Sequence, residues 1–167
     1  MALNIRSHDR PHTNPVDAVE QLIVAKEWAY DRRSDFEIAA QVAGQWCDYS
    51  MFIAWNEDAS VIHVSCAFDM RVPARRRAPV FELLAAVNEH VCLGHFGMWE
   101  NEGLPMYRCT LPLRGTEGAS AEQLEDMVET AIAECEKFYP AFQFVVWAGK
   151  SAAEAVRTAM METVGEA

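Results

Sequence analysis

Three consecutive runs of this chain alternate apolar and polar residues with a period of two, and few folds can accommodate that. In the first, Phe36, Ile38, Ala40 and Val42 share one face, opposite Asp35, Glu37 and Gln41. In the second, Cys47, Tyr49, Met51, Ile53 and Trp55 face one way, and Trp46, Asp48, Ser50 and Phe52 the other. In the third, Ile62, Val64, Cys66, Phe68 and Met70 oppose His63, Ser65 and Asp69. A strand shows successive side chains to opposite faces, so this pattern predicts an antiparallel meander packed on one side. Gly44-Gln45 and Asn56-Glu57-Asp58-Ala59 supply the turns.

The segments around the meander carry helical spacing. Asn14-Pro15-Val16-Asp17 combines a cap, a first-turn proline and an acid at the positive end of the dipole, which predicts a helix to about Trp28. Asp31-Arg32-Arg33-Ser34 breaks the pattern. From Pro79, the residues Val80, Leu83, Leu84, Val87 and Val91 form one apolar stripe, and Gly94 suits a left-handed cap. Two β-prone runs, HFGMWE and MYRCTLPL, then flank the turn Asn101-Glu102-Gly103 and predict a hairpin. Ser120 and Gln123 make a capping box for a helix that buries Leu124, Val128, Ala131, Cys135 and Phe138. Pro140 should kink or interrupt that helix, with Ala141–Trp147 read as its continuation and a strand as the alternative. Ser151 caps a last helix that fades by Val164. The expected fold is therefore α+β: a five-stranded antiparallel sheet with helices on one face, in the order α-β-β-β-α-β-β-α plus a C-terminal helix. Residues 1–13, polar and without periodicity, are expected to be a disordered tail, and 14–165 a single domain.

Composition restricts the partners. With a formal net charge of −11, the chain lacks the cationic surface that phosphate backbones or anionic lipids require. No apolar run reaches the ~18 residues of a membrane span, and MALNIRSHDRPHTN lacks the apolar core of a secretory signal, so the expected compartment is the cytoplasm. Five widely spaced cysteines without a C-x-x-C pair read as reduced, buried side chains.

Candidate chemistry is sparse. His90, Cys92 and His95 form H-x-C-x-x-H, but His90 and Cys92, two apart on a predicted helix, diverge, so neither metal nor cofactor is expected. Cys92 or Cys109 with His90 or His95 would be needed for a thiol enzyme, yet Cys109 alternates with Tyr107 and Leu111 on a core face, where burial raises a thiol pKa. The carboxylates Glu122, Glu125, Asp126, Glu129, Glu134 and Glu136 lie largely opposite the apolar stripe of their helix and read as a solvated face. The run Arg71, Arg75, Arg76, Arg77 reads as a solvated loop paired locally with carboxylates, or as a site for an anion or an acidic segment. Phosphate-loop, nucleophile-elbow and zincin motifs are absent from the sequence. Trp99 alternates with His95 and Gly97 against Phe96 and Met98, and an aromatic on the sparser face of a sheet suits a protein contact. Met98 and Trp99 are thus the candidate contact residues.

The helix–hairpin segment, with Asn88, then Gly94-His95-Phe96, then Tyr107-Arg108-Cys109-Thr110-Leu111-Pro112-Leu113, resembles the YbjN family, described as bacterial sensory-transduction regulators. The resemblance covers most of residues 14–165 and includes Tyr139–Trp147 and Glu162-Thr163-Val164-Gly165. The element order also looks like that of type III secretion chaperones, which are small, acidic and dimeric and hold an extended client segment. These resemblances imply a non-enzymatic regulator or chaperone-like adaptor that binds a protein partner as a homodimer. The alternatives are a small-molecule sensor with its pocket between sheet and long helix, or a small Cys/His enzyme.

Overall fold

The computed structural model describes residues 14–164, so the expected disordered tail 1–13 lies outside the described residues. The first helix, α1 (Pro15–Ala25), is followed by strands β1 (Ala29–Arg32), β2 (Glu37–Ala43), β3 (Asp48–Asn56) and β4 (Val61–Ala67). Then come α2 (Arg77–Asn88), the hairpin β5 (His95–Trp99) and β6 (Leu104–Pro112), the long α3 (Ala121–Val146) and α4 (Ala152–Val164). The strands form one sheet in the order β1-β2-β3-β4-β6-β5, with every neighbouring pair antiparallel.

The sheet has six strands where the alternation predicts five. The extra one, β1, is a four-residue edge strand whose residues are mostly exposed, so it carries no buried alternation to read. Its place is set by an early helix stop: α1 ends at Ala25, and Glu27 takes a left-handed conformation (φ 56°) that turns the chain back along β2. Arg32 then ties the edge to α1, donating to Asp17 at 2.9 Å and Glu20 at 2.7 Å.

The other expectations locate the core. Ile38, Ala40 and Val42 of β2, Tyr49, Met51, Ile53 and Trp55 of β3, and Ile62, Val64 and Cys66 of β4 are all buried, whereas Phe36 precedes its strand and is exposed. From the helices come Val80, Leu83, Leu84 and Val87 of α2 and Leu124, Val128, Ala131, Cys135 and Phe138 of α3. Helix α2 starts two residues before Pro79 and stops at Asn88, so Val91 lies in the loop beyond it. Sheet and α3 are joined by aromatic rings packed edge to face, which suits their quadrupoles: Phe68 lies 5.0 Å from both Tyr139 and Phe142, and Phe96 5.7 Å from Phe138.

Pro140 sits inside α3, which runs through it as one helix of 26 residues. Proline has no N–H to offer the carbonyl four residues earlier, which here belongs to Glu136. The indole N–H of Trp46, in the β2–β3 turn, donates to that carbonyl at 3.0 Å. The Glu136 carboxylate also accepts from the Gln45 amide at 2.7 Å. Gly44 permits this approach, because a Cβ there would collide with Tyr49 and the same carboxylate.

The β5 edge is closed from within the chain. Asn88, the last residue of α2, donates from Nδ2 to the Phe96 carbonyl at 3.0 Å, and its Oδ1 accepts from the Phe96 amide at 2.7 Å. The Tyr107 hydroxyl donates to the Leu93 carbonyl, and Gly94, at φ 73°, has no room for a side chain beside Tyr107 and the Arg108 carbonyl. An edge strand whose backbone is occupied in this way cannot template another strand at that residue.

Two outcomes follow. Asn88→Ala strands both polar groups of Phe96 and should lower the unfolding free energy in urea by about 1–3 kcal/mol; a change of under about 0.5 kcal/mol, the range of an ordinary surface substitution, would contradict the edge closure. Cys66, Cys109 and Cys135 are buried, Cys47 is half-buried and Cys92 is exposed. Burial pushes the Cys109 and Cys135 thiols up. Thiol titration of the native protein should show one fast cysteine, Cys92, with all five reacting only after denaturation.

Candidate functional site

All four helices belong to one core with the same side of the sheet, and among the described residues no helix covers the other side. Register places Ala39, Phe52, Ser65, Arg108 and His95 in one row across that open face, with Ser50, Ala67, Met106 and Gly97 in the next. Trp99 pairs with Leu104 one step further along. Its indole reaches back across the sheet to Phe52, three strands away, with the ring centroids 5.9 Å apart. Ser65, Ala67 and Met106 are nearly closed to solvent on this face, flanked by the two rings.

The centre of the face is thus aromatic and aliphatic, and its rim is charged. The Arg33 guanidinium stands 5.3 Å from the Phe52 ring centroid, a cation–π distance, and its Nε lies 3.9 Å from Asp31. Partial burial holds the His63 imidazole below its usual pKa, Arg108 adds to this by repulsion, and Glu37 opposes it, so His63 is biased towards the neutral form. An apolar centre with a polar rim is the arrangement of a protein contact surface.

The two candidate contact residues separate here. Trp99 lies on the open face, whereas Met98, opposite Pro105 in the register, packs against the core on the helix side. Adjacent strand residues point to opposite faces, so the pair cannot form one patch. Phe52 is the partner that sequence reading missed. It stands on the polar side of its strand, and only the register brings it to Trp99.

His90, Cys92 and His95 are exposed around the α2–β5 loop, and among the described residues no three His, Cys, Asp or Glu side chains converge as a metal site. Neither Cys92 nor Cys109 has a histidine as hydrogen-bond partner among those residues. The layer between sheet and α3, where a ligand pocket would sit, is filled by Phe68, Phe96, Phe138, Tyr139 and Phe142. Among the described residues, no helix is long and apolar enough to cross a membrane. Arg71, Arg75, Arg76 and Arg77 form no ion pair with a carboxylate among the described residues, contrary to the local pairing expected of them. Arg71 instead donates to the Glu102 carbonyl at 3.4 Å.

Comparison with known proteins adds the family. No curated protein sequence matches the chain. Among solved structures, the chain is similar to "YbjN, a putative transcription regulator from E. coli", at 14% identity and a TM-score of 0.52, over 72% of this chain and 85% of that one. At that identity the likeness concerns the fold alone. The family model YbjN, "Putative bacterial sensory transduction regulator", matches residues 15–144, from the first residue of α1 to the last turn of α3. That span includes Asn88, Gly94, Phe96 and Tyr107, which close the β5 edge, and the chain belongs to the YbjN family.

Proposed function

We propose that this chain is a non-enzymatic regulator that works by binding another protein through the open face of its sheet, as a homodimer in the cytoplasm. The observation that supports the reading is the aromatic pair Phe52–Trp99, set over small and apolar residues on a face that no helix among the described residues covers. Tryptophan is among the side chains that most often carry binding energy at a contact, because its large rigid area loses little rotamer freedom. The charged rim residues Arg33 and Arg108 would orient the partner rather than hold it.

The face suits an extended, chaperone-like client segment better than a small molecule. It spreads aromatic and small apolar side chains over four strands rather than gathering convergent polar groups. Met98 contributes by packing on the core side, which keeps β5, and Trp99 with it, in register.

The test is capture of the partner by crosslinking from the native cytoplasm, then titration of the purified partner against wild type, Trp99→Ala and Phe52→Ala. Truncating a central aromatic costs about 2 kcal/mol or more at a hot spot, which is roughly a thirtyfold rise in Kd. Met98→Ala should lower stability and leave Kd nearly unchanged. A Kd for Trp99→Ala within twofold of wild type would sink this surface as the binding site.

A further inference from the structure

Cations are the minority in this chain, with 25 acidic residues against 14 lysines and arginines. Four of them, Arg71, Arg75, Arg76 and Arg77, nevertheless fall within seven residues, and none of the four pairs with a carboxylate among the described residues. Lys26, Arg32 and Arg33, by contrast, each have one. The backbone compresses the run further. Ala74–Arg76 is a single 3-10 turn that leads directly into α2, and the Arg76 amide donates to the Pro73 carbonyl at 2.8 Å. Arg75, Arg76 and Arg77 therefore leave one tight turn from Cα atoms about 3.8 Å apart.

Two loops hold the run in place. Arg71 donates to the Glu102 carbonyl, and Arg77 Nη2 lies 3.4 Å from where a Cβ of Gly103 would stand, so both guanidiniums meet the β5–β6 turn. Arg76 Nη2 lies 3.1 Å from where a Cβ of Gly149 would stand, in the loop between α3 and α4 and next to Lys150. Arg75 is exposed on the turn between them. The half-buried Arg77 is the telling member. Its Nε is shut off from solvent and has no hydrogen-bond partner among the described residues. A buried donor without an acceptor destabilises a fold, and on a charged group the cost is larger. Packing therefore supplies no reason for a cation at Arg77, whereas an anion held by the run would offset that cost.

We propose that Arg75, Arg76 and Arg77 form a binding site for a phosphoryl group at the start of α2. The planar guanidinium fork matches phosphate oxygens in bidentate pairs. A phosphoryl group carries close to two charges on three oxygens, so it engages more than one fork at once, which a single carboxylate does less well. The net charge of −11 limits the ligand to something compact. At physiological salt the screening length is about 8 Å, so a small anion meets the local arginines, while an extended polyanion also meets the acidic remainder of the chain. A small phosphorylated compound and a phosphorylated side chain of a protein share this chemistry. No arginine of the site is one that the partner surface uses, so the proposal goes beyond the binding function and stands separately from it.

The test is isothermal titration of the full chain with inorganic pyrophosphate in about 0.15 M NaCl. One site per chain is expected, with a Kd of about 0.1 mM or tighter. Arg75→Gln/Arg76→Gln and Arg77→Gln should each weaken it about tenfold or more, since each removes charged hydrogen bonds. Arg114→Gln, exposed beyond the far end of β6, should leave it unchanged. Without ligand, Arg77→Gln should melt no lower than wild type, and it should lose the rise in melting temperature that pyrophosphate gives wild type. Malonate, a dicarboxylate, should bind about tenfold more weakly than pyrophosphate. A second titration, with Gly-Gly-phosphoserine-Gly-Gly and its unphosphorylated form, separates the two sources. A tighter Kd for the phosphopeptide than for pyrophosphate supports a phosphorylated protein as the ligand, and the reverse order supports a small compound. Four results would each overturn the proposal: no binding of either phosphoryl probe at about 1 mM, an equal loss in Arg114→Gln, equal affinity for malonate, or an Arg77→Gln protein that melts lower yet keeps the pyrophosphate effect.

Discussion

The ring packing of Phe68 and Phe96 against Phe138, Tyr139 and Phe142 joins sheet to helix, and the rest of the architecture depends on it. These rings draw the last turns of α3 onto the middle of the sheet, so the helix must continue past Pro140. That continuation opens one backbone carbonyl, and Trp46 fills it from the β2–β3 turn. The core is thereby closed on one side of the sheet by α1, α2, α3 and α4. Among the described residues there is no second helical layer, so the opposite face must be managed by the strands' own side chains. Phe52 and Trp99 do this by lying towards each other over Ser65, Ala67 and Met106.

Family membership has a physical content here. Asn88, Gly94, Phe96 and Tyr107 shut the β5 edge and fix the hairpin. A sheet is vulnerable at its edges, where unpaired backbone invites any extended chain. Closing β5 from the end of α2 limits pairing there. At the other edge, Arg32 ties β1 down to Asp17 and Glu20.

Much of this was legible in the residues. Period-two alternation gave the faces of β2, β3 and β4, because half-burial leaves a direct mark on residue choice, and the capping box at Ser120 gave the start of α3. The β1 strand was not legible: its residues are exposed on an edge, and burial is what alternation reports. Trp99 could be singled out by alternation within its own strand, but Phe52 could not be joined to it, since their meeting depends on the register of β3, β4, β6 and β5 taken together. The arginine run showed the opposite weakness. Its composition suggested local neutralisation, and only coordinates could separate those cations from the carboxylates nearby in sequence.

The claim on which this account stands is that the two faces of the sheet differ, one packed and one open. Hydroxyl-radical footprinting of the monomeric protein, read residue by residue by mass spectrometry, measures it directly. Phe52 and Trp99 should be oxidised readily, while Phe68 and Phe96, both on the helix side, stay protected until the protein unfolds. Equal protection of Phe52, Trp99 and Phe96 in the monomer would mean that the face is already covered, and would contradict the account.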